Sequence, residues 1–204
     1  MGRLSRQKDA VEILLVTSVI CFSVFSCKEK TMKERKGIVT FKGNPLTVLG
    51  NEVKTGQQAP DFEVVANDMS VVSFSSFAGQ VCIICAVPSL DTPVCDTETR
   101  RFNEEAGKLG ENVKILTISM DLPFAQKRWC AAAGIKNLQT LSDYREANFG
   151  TTYGILIKEM RLLARAIFVV DKTERINYIQ LVKEMSSEPD YQAVLDAAKK
   201  TIAG

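Results

Sequence analysis

The chain has 204 residues with 26 lysines and arginines against 24 acidic residues, enough for one sizeable domain and without the broad basic field that nucleic-acid binders use. It contains no histidine, which removes the commonest general base and imidazole metal ligand and leaves cysteine, carboxylates, lysine and tyrosine to carry chemistry. The six cysteines, Cys21, Cys27, Cys82, Cys85, Cys95 and Cys130, are too few for a disulfide scaffold.

In chain order, Arg3, Arg6 and Lys8 lead into an apolar run from Ile13 to Phe25, the length of a signal-peptide core and short of a membrane span. The run ends Val24-Phe25-Ser26-Cys27 and passes at once into the charged stretch Lys28 to Lys36. This resembles the cleavage box of bacterial lipoproteins. The resemblance implies a signal peptide over residues 1–26, a lipidated Cys27 followed by a charged linker to residue 37, and a membrane-anchored protein on the exported side. The other reading is a translation start at Met32 and a cytoplasmic protein, because the text from Met32 onward reads as a complete domain. Residues 1–26 stand outside the fold in both cases.

The folded domain is expected over residues 38–204. Ile38 to Phe41 and Leu46 to Leu49 flank the turn cluster Gly43-Asn44-Pro45 and read as a hairpin. Gly56 to Pro60 reads as a linker, and Phe62 to Ala66 with Val71 to Phe74 as a second strand pair around Asn67-Asp68. The almost wholly apolar run Val81 to Val87 predicts a central strand covered on both faces. Thr92-Pro93 then opens a helix to about Lys108, with threonine placed to cap and proline in the first turn. Val113 to Ser119 predicts a buried strand and Leu122 to Ala133 a helix stopped by Gly134. This alternation implies parallel strands with right-handed crossovers, an α/β fold. Leu138 to Leu141 predicts a short strand, Arg145 to Tyr153 a short helix, Ala164 to Val170 and Arg175 to Val182 two strands joined at Asp171 to Glu174, and Asp190 to Ile202 a last helix.

Cys82 and Cys85 have C-x-x-C spacing, which raises the possibility of a thiol-disulfide oxidoreductase. They fall inside an apolar strand, however, where residues three apart point to opposite faces and cannot bridge. Both are expected to be core. Cys95 falls two residues after Pro93, in a first helical turn whose free N–H groups and dipole stabilise a thiolate. Position alone leaves a merely packed turn cysteine equally open.

The text from Pro88 to Thr97, Pro-Ser-Leu-Asp-Thr-Pro-Val-Cys-Asp-Thr, contains the P-x-x-x-T-x-x-C arrangement of peroxiredoxins and closely resembles their thiol peroxidase branch, the atypical two-cysteine peroxiredoxins. The likeness runs from Phe41-Lys42-Gly43-Asn44-Pro45 through Asp121-Leu122-Pro123-Phe124-Ala125-Gln126-Lys127-Arg128 and Cys130, past Leu163-Ala164-Arg165-Ala166, to Glu188-Pro189-Asp190-Tyr191. One departure is Tyr144, where many relatives carry histidine. The resemblance implies a thioredoxin-like fold with an N-terminal β-hairpin extension. It implies Cys95 as the peroxidatic residue, Thr92 as the hydroxyl that bonds sulfur and peroxide, and Pro88 as a shield of the pocket. Arg165 becomes the guanidinium aimed at the thiolate, and Cys130 the resolving cysteine. The reaction so implied reduces hydrogen peroxide and organic hydroperoxides through a Cys95 sulfenic acid and a Cys95–Cys130 disulfide, recycled by thioredoxin or a similar dithiol, in a homodimer. No metal, haem, flavin or nicotinamide motif is present, and the chemistry needs no cofactor.

Two other functions share parts of this text: an electron carrier working through Cys82 and Cys85, and a sensor whose Cys95–Cys130 disulfide changes partner binding without turnover. Peroxide consumption with a reductant separates them from a peroxidase.

Overall fold

In the computed structural model, which describes residues 32–110 and 113–204, the chain opens with an antiparallel hairpin of β1 (Glu34–Phe41) and β2 (Asn44–Leu49). Cys27 and the signal segment lie outside the described residues. The hairpin turn is Lys42-Gly43, both at positive φ (51° and 80°), while Asn44 and Pro45 belong to the strand. Two left-handed central residues match the twist of the flanking strands, so the turn falls one residue before the expected cluster. β1 also begins at Glu34 and not at Ile38. A register shift between Lys36 and Val39 hides this strand from a period-two reading. Its charges bind neighbours, Arg35 donating to the Gly154 carbonyl and Lys158 pairing with Glu34.

The principal sheet is built from β3 (Glu63–Ala66), β4 (Val71–Ser73), β5 (Val81–Ala86), β6 (Val113–Ser119), β7 (Gln139–Ser142), β10 (Ala166–Val170) and β11 (Ile176–Leu181), in the order β11-β10-β5-β6-β7-β3-β4. β5, β6 and β7 run parallel, as the strand-helix alternation predicts; the outer strands pair antiparallel. α1 (Pro93–Leu109) links β5 to β6 and α2 (Pro123–Ala133) links β6 to β7, ending at Gly134 in the left-handed region. α3 (Asn148–Thr152) is shorter than expected, because Ala147 at φ 50° interrupts helical backbone between the turn at Tyr144 to Glu146 and the helix. Two strands absent from the sequence reading, β8 (Leu156–Ile157) and β9 (Leu162–Leu163), join β1 and β2 in a second sheet. α4 (Tyr191–Ala203) closes the chain with Asp190 accepting from the Ala193 N–H at its start.

Every residue of β5 is buried. Val81, Ile83 and Cys85 pack with Phe102 of α1 and Tyr191, Val194 and Ala198 of α4. Cys82, Ile84 and Ala86 face the opposite cluster, with Phe149, Tyr153 and the apolar residues of the second sheet. Burying one isoleucine contributes about 2 kcal/mol of transfer free energy, so a strand dry on both faces is a rigid base for whatever follows it. The loop Val87 to Thr92 follows it, at the carboxyl end of the parallel strands, where α/β sheets bind ligands.

Candidate active site

That loop is held from below by Asp121. Its carboxylate accepts from the Ser89 hydroxyl at 2.7 Å, the Leu90 N–H at 2.8 Å and the Ser119 hydroxyl at 2.7 Å. The fully buried Gln126 donates to Ser119 Oγ and to the Leu141 carbonyl, both at 2.9 Å, which joins the loop, α2 and β7 into one polar network. Asp121 and Gln126 sit in the motif that carried the resemblance, and these bonds give them a physical role.

Cys95 is the third residue of α1 and is wholly buried under Val87, Leu90 and Trp129. Arg165, which immediately precedes β10, is also buried; its Nη2 donates to Cys95 Sγ at 3.4 Å and to the Met185 carbonyl at 3.1 Å, while Nη1 pairs with Glu98 Oε2. Glu98 is buried one helical turn beyond Cys95. Burial pushes its carboxyl up to about 7 against the pull of Arg165. Glu98 was not expected from the sequence. The available signal was its spacing from Cys95, three residues on and therefore on the same helix face, with the requirement that a buried guanidinium have a counter-charge.

A second line of support reaches Arg165 from the N-terminal hairpin. Glu184, next to Met185, accepts from the Lys42 and Gly43 N–H groups at 3.0 Å and from the Thr40 hydroxyl at 2.8 Å. These bonds and those to Ser186 hold the Glu184 carboxyl down at about 2.

Pro88 is buried beside this site. Thr92 precedes α1, but its side chain makes no cap; the hydroxyl donates to the Ser89 carbonyl at 2.9 Å. That bond uses its one proton, so the hydroxyl does not donate to the Cys95 sulfur as the resemblance implies, and it leaves the oxygen lone pairs free to accept from an incoming donor. Cys130 is half-buried on α2, with Sγ 3.2 Å from Thr140 Oγ1, to which Asn67 also donates. Burial pushes its thiol up. Cys95 and Cys130 are free thiols engaged in different directions, one toward Arg165 beside β10, the other toward Thr140 on β7. Joining the two sulfurs in a disulfide must therefore draw at least one of them off its partner.

Cys82 and Cys85 face opposite sides of the sheet, as expected for the strand. Desolvation pushes Cys82 up to about 12 and Cys85 well above the usual thiol range. Among the described residues no group of three or more His, Cys, Asp or Glu side chains is disposed to hold a metal ion.

Residues 54–195 match the Redoxin family model. The chain is 59% identical over 162 residues to the thiol peroxidase of Oceanobacillus iheyensis, covering 79% of this chain and 98% of the relative. It is 51% identical over 164 residues to that of Bacillus subtilis, covering 80% and 98%. Among solved structures, a peroxiredoxin-like protein from Aquifex aeolicus is 42% identical with a TM-score of 0.76, covering 83% of this chain and 98% of the other. A thiol peroxidase from Chromobacterium violaceum, 21% identical with a TM-score of 0.72 over 81% of this chain and 97% of its own, shares the fold.

Proposed function

The chain belongs to the Redoxin family and is a thiol peroxidase on a thioredoxin-like fold, and from that premise we propose that Cys95 attacks the peroxide and Cys130 resolves the product. The observation that carries the assignment is the buried Arg165 guanidinium donating to the Cys95 sulfur at 3.4 Å. The Cys95 thiolate attacks the distal peroxide oxygen and the O–O bond breaks. Sulfur is oxidised to sulfenic acid, and the departing oxygen takes a proton to leave as water or alcohol.

Arg165 supports two stages of that step. In the ground state its charge favours the thiolate, whose other support is the set of free N–H groups of the first turn of α1. As the O–O bond lengthens, charge moves onto the leaving oxygen, and a donor already fixed by Glu98 and Met185 meets it without reorganisation. Ionising a thiol from its free pKa gains at most a few tens of fold, whereas enzymes accelerate by about 10⁶ or more. The oxygen-directed role is therefore the larger. Thr92, with its proton committed to Ser89, accepts from the peroxide and orients it. Pro88 walls the site, and entry of peroxide requires the cover of Leu90 and Trp129 to shift, because Cys95 is enclosed.

Cys130 then condenses with the sulfenic acid, releasing water and forming the Cys95–Cys130 disulfide. A thioredoxin-type dithiol restores both thiols by exchange. In the same reading Cys27 is the lipidated first residue of an exported, membrane-anchored protein that assembles as a homodimer. Intact mass from the native cells tests the anchor: acyl chains on Cys27 support it, and an unmodified start at Met32 in the soluble fraction contradicts it.

The Cys130→Ser variant tests the mechanism. It should consume one equivalent of peroxide at near the parent rate, then stop turning over with thioredoxin and pass to sulfinic acid in excess peroxide, adding oxygen atoms visible by mass. Undiminished multiple turnover would overturn the assignment of Cys130.

A further inference from the structure

The peroxide site has two lines of support that share no bond among the described residues. Arg165 is held from the β10 side by Glu98 and the Met185 carbonyl. Thr92 and the Leu90 cover are held from the β6 side, and there the side-chain bonds converge on Asp121. Ser89 is the first link: its carbonyl accepts from the Thr92 hydroxyl at 2.9 Å and the Thr92 N–H at 3.1 Å. Its own hydroxyl donates to Asp121 Oδ1 at 2.7 Å and accepts from the Asp91 N–H at 3.3 Å. The other carboxylate oxygen takes the next residue, accepting from the Leu90 N–H at 2.8 Å and from the Ser119 hydroxyl at 2.7 Å. Leu90 in turn packs on Cys95 with Val87 and Trp129. Asp121 itself is fixed, because its carbonyl accepts from the Ser142 hydroxyl and Ser119 Oγ accepts from the buried Gln126. One carboxylate thus grips two consecutive residues, one leading to the hydroxyl that meets the peroxide and the other to the side chain that encloses the sulfur.

We propose that Asp121 is a positioning and specificity-determining residue of the peroxide step: through Ser89 it aims Thr92 at the peroxide, and through Leu90 it sets how readily a large hydroperoxide reaches Cys95. This rests on the assignment of Cys95 as the attacking thiol. Among the described residues Asp121 is bonded to neither Cys95 nor Thr92, so it acts through the loop. A carboxylate suits that task, since it accepts from several donors at once and its bonds are charge-assisted, stronger than those between neutral groups. Small and large substrates feel the loop differently. Hydrogen peroxide offers only its two O–H groups, so its rate depends on where the Thr92 lone pairs point. A bulky hydroperoxide carries carbon beyond the O–O bond and must also displace the Leu90 side chain, because Cys95 is 0% exposed beneath its cover. Loosening the grip therefore harms both substrates at Thr92 and relieves only the larger one at Leu90.

The test is single-turnover peroxide loss by the reduced full chain, with hydrogen peroxide and with cumene hydroperoxide, in the parent, Asp121→Ala, Asp121→Asn and Ser89→Ala. Rates are compared on the alkaline plateau of the pH profile, where ionisation of Cys95 drops out. In Asp121→Ala the hydrogen peroxide rate should fall by about tenfold and the cumene hydroperoxide rate by about threefold or less, as a small misplacement made away from the chemistry allows. The ratio of the two rates then shifts toward the bulky substrate. Asp121→Asn keeps the shape and one acceptor oxygen, and should recover most of the parent ratio. Ser89→Ala loses the bond to Asp121 but keeps the carbonyl that Thr92 uses, so it should shift the ratio in the same direction by less. It leaves the Asp121 bonds to Leu90 and Ser119 in place, and it decides alone if Asp121→Ala does not fold. A merely structural Asp121 would lower the urea-unfolding midpoint and reduce both rates alike. An unchanged ratio in Ser89→Ala and in folded Asp121→Ala overturns the proposal and leaves the peroxidase reading intact. Peroxide loss that survives Cys95→Ser overturns the reading on which it rests.

Discussion

Cys82, Cys85 and Cys95 are equally dry, at 1%, 1% and 0% exposure, and they lie within fourteen residues of one another, yet their surroundings prepare them for opposite chemistry. The strand pair packs into the two apolar clusters, with the Gln80 carbonyl 3.9 Å from the Cys82 sulfur as its one hydrogen-bond partner among the described residues, and burial pushes both thiols far from ionisation. Cys95 has a helix N-terminus beneath it and a buried guanidinium beside it, itself held by Glu98 and the Met185 carbonyl. Burial alone therefore does not decide whether a thiol reacts. In the dry interior an uncompensated charge is expelled, while a compensated one is strengthened, because the same low dielectric acts on both.

The largest expected difference is between Cys95→Ser and the double variant Cys82→Ala with Cys85→Val. The first should abolish even the first equivalent of peroxide loss. The second should retain turnover within a few-fold, at a cost of about 1 kcal/mol per site in urea unfolding. A folded but inactive double variant would reverse the comparison and restore the C-x-x-C reading.

Next in size is Arg165→Lys, which keeps charge but loses the planar fork. The single-turnover rate should fall by about 10²-fold, as when a transition-state donor is removed, and by more than the change in thiolate fraction read from its pH profile. A fall confined to that fraction would mean that Arg165 serves ionisation only. A smaller effect is expected at Glu184, whose removal as Glu184→Ala loosens the hairpin beside Met185 and should slow the peroxide step by only a few-fold, with Arg165 still paired to Glu98.

The smallest concerns stability and pH. Glu98 titrates higher folded, at about 7, than at its usual 4.5. It therefore favours the folded state below about pH 4.5, and that contribution is lost as pH rises through about 7. Asp143, raised by burial to about 6, acts in the same direction. Unfolding free energy should thus decline across this window, and Glu98→Gln should reduce the slope without removing it. An unchanged slope would show that the Arg165 pair keeps Glu98 ionised throughout.

What was legible in the sequence follows the same physics. β5, α1, β6 and α2 were readable because continuous apolar runs, Pro93 and Gly134 state their boundaries locally. β8 and β9 were not, since two-residue strands have no period and exist only through pairing with each other and β2. The start of β1 was masked by its charges and its register shift. In the candidate site, Cys95, Cys130, Thr92, Pro88 and Arg165 were named through the motif and its family likeness. Glu98 was missed because a glutamate within Asp96-Thr97-Glu98-Thr99-Arg100 looks like part of a solvated helix face, and only its long-range pairing with Arg165 buries it.

The most direct measurement is disulfide mapping of the parent protein after one equivalent of hydrogen peroxide, with free thiols blocked before digestion. A single bond between Cys95 and Cys130 is expected, with Cys82 and Cys85 both recovered as blocked thiols. A bond between Cys82 and Cys85, or from Cys95 to any other cysteine, would contradict it.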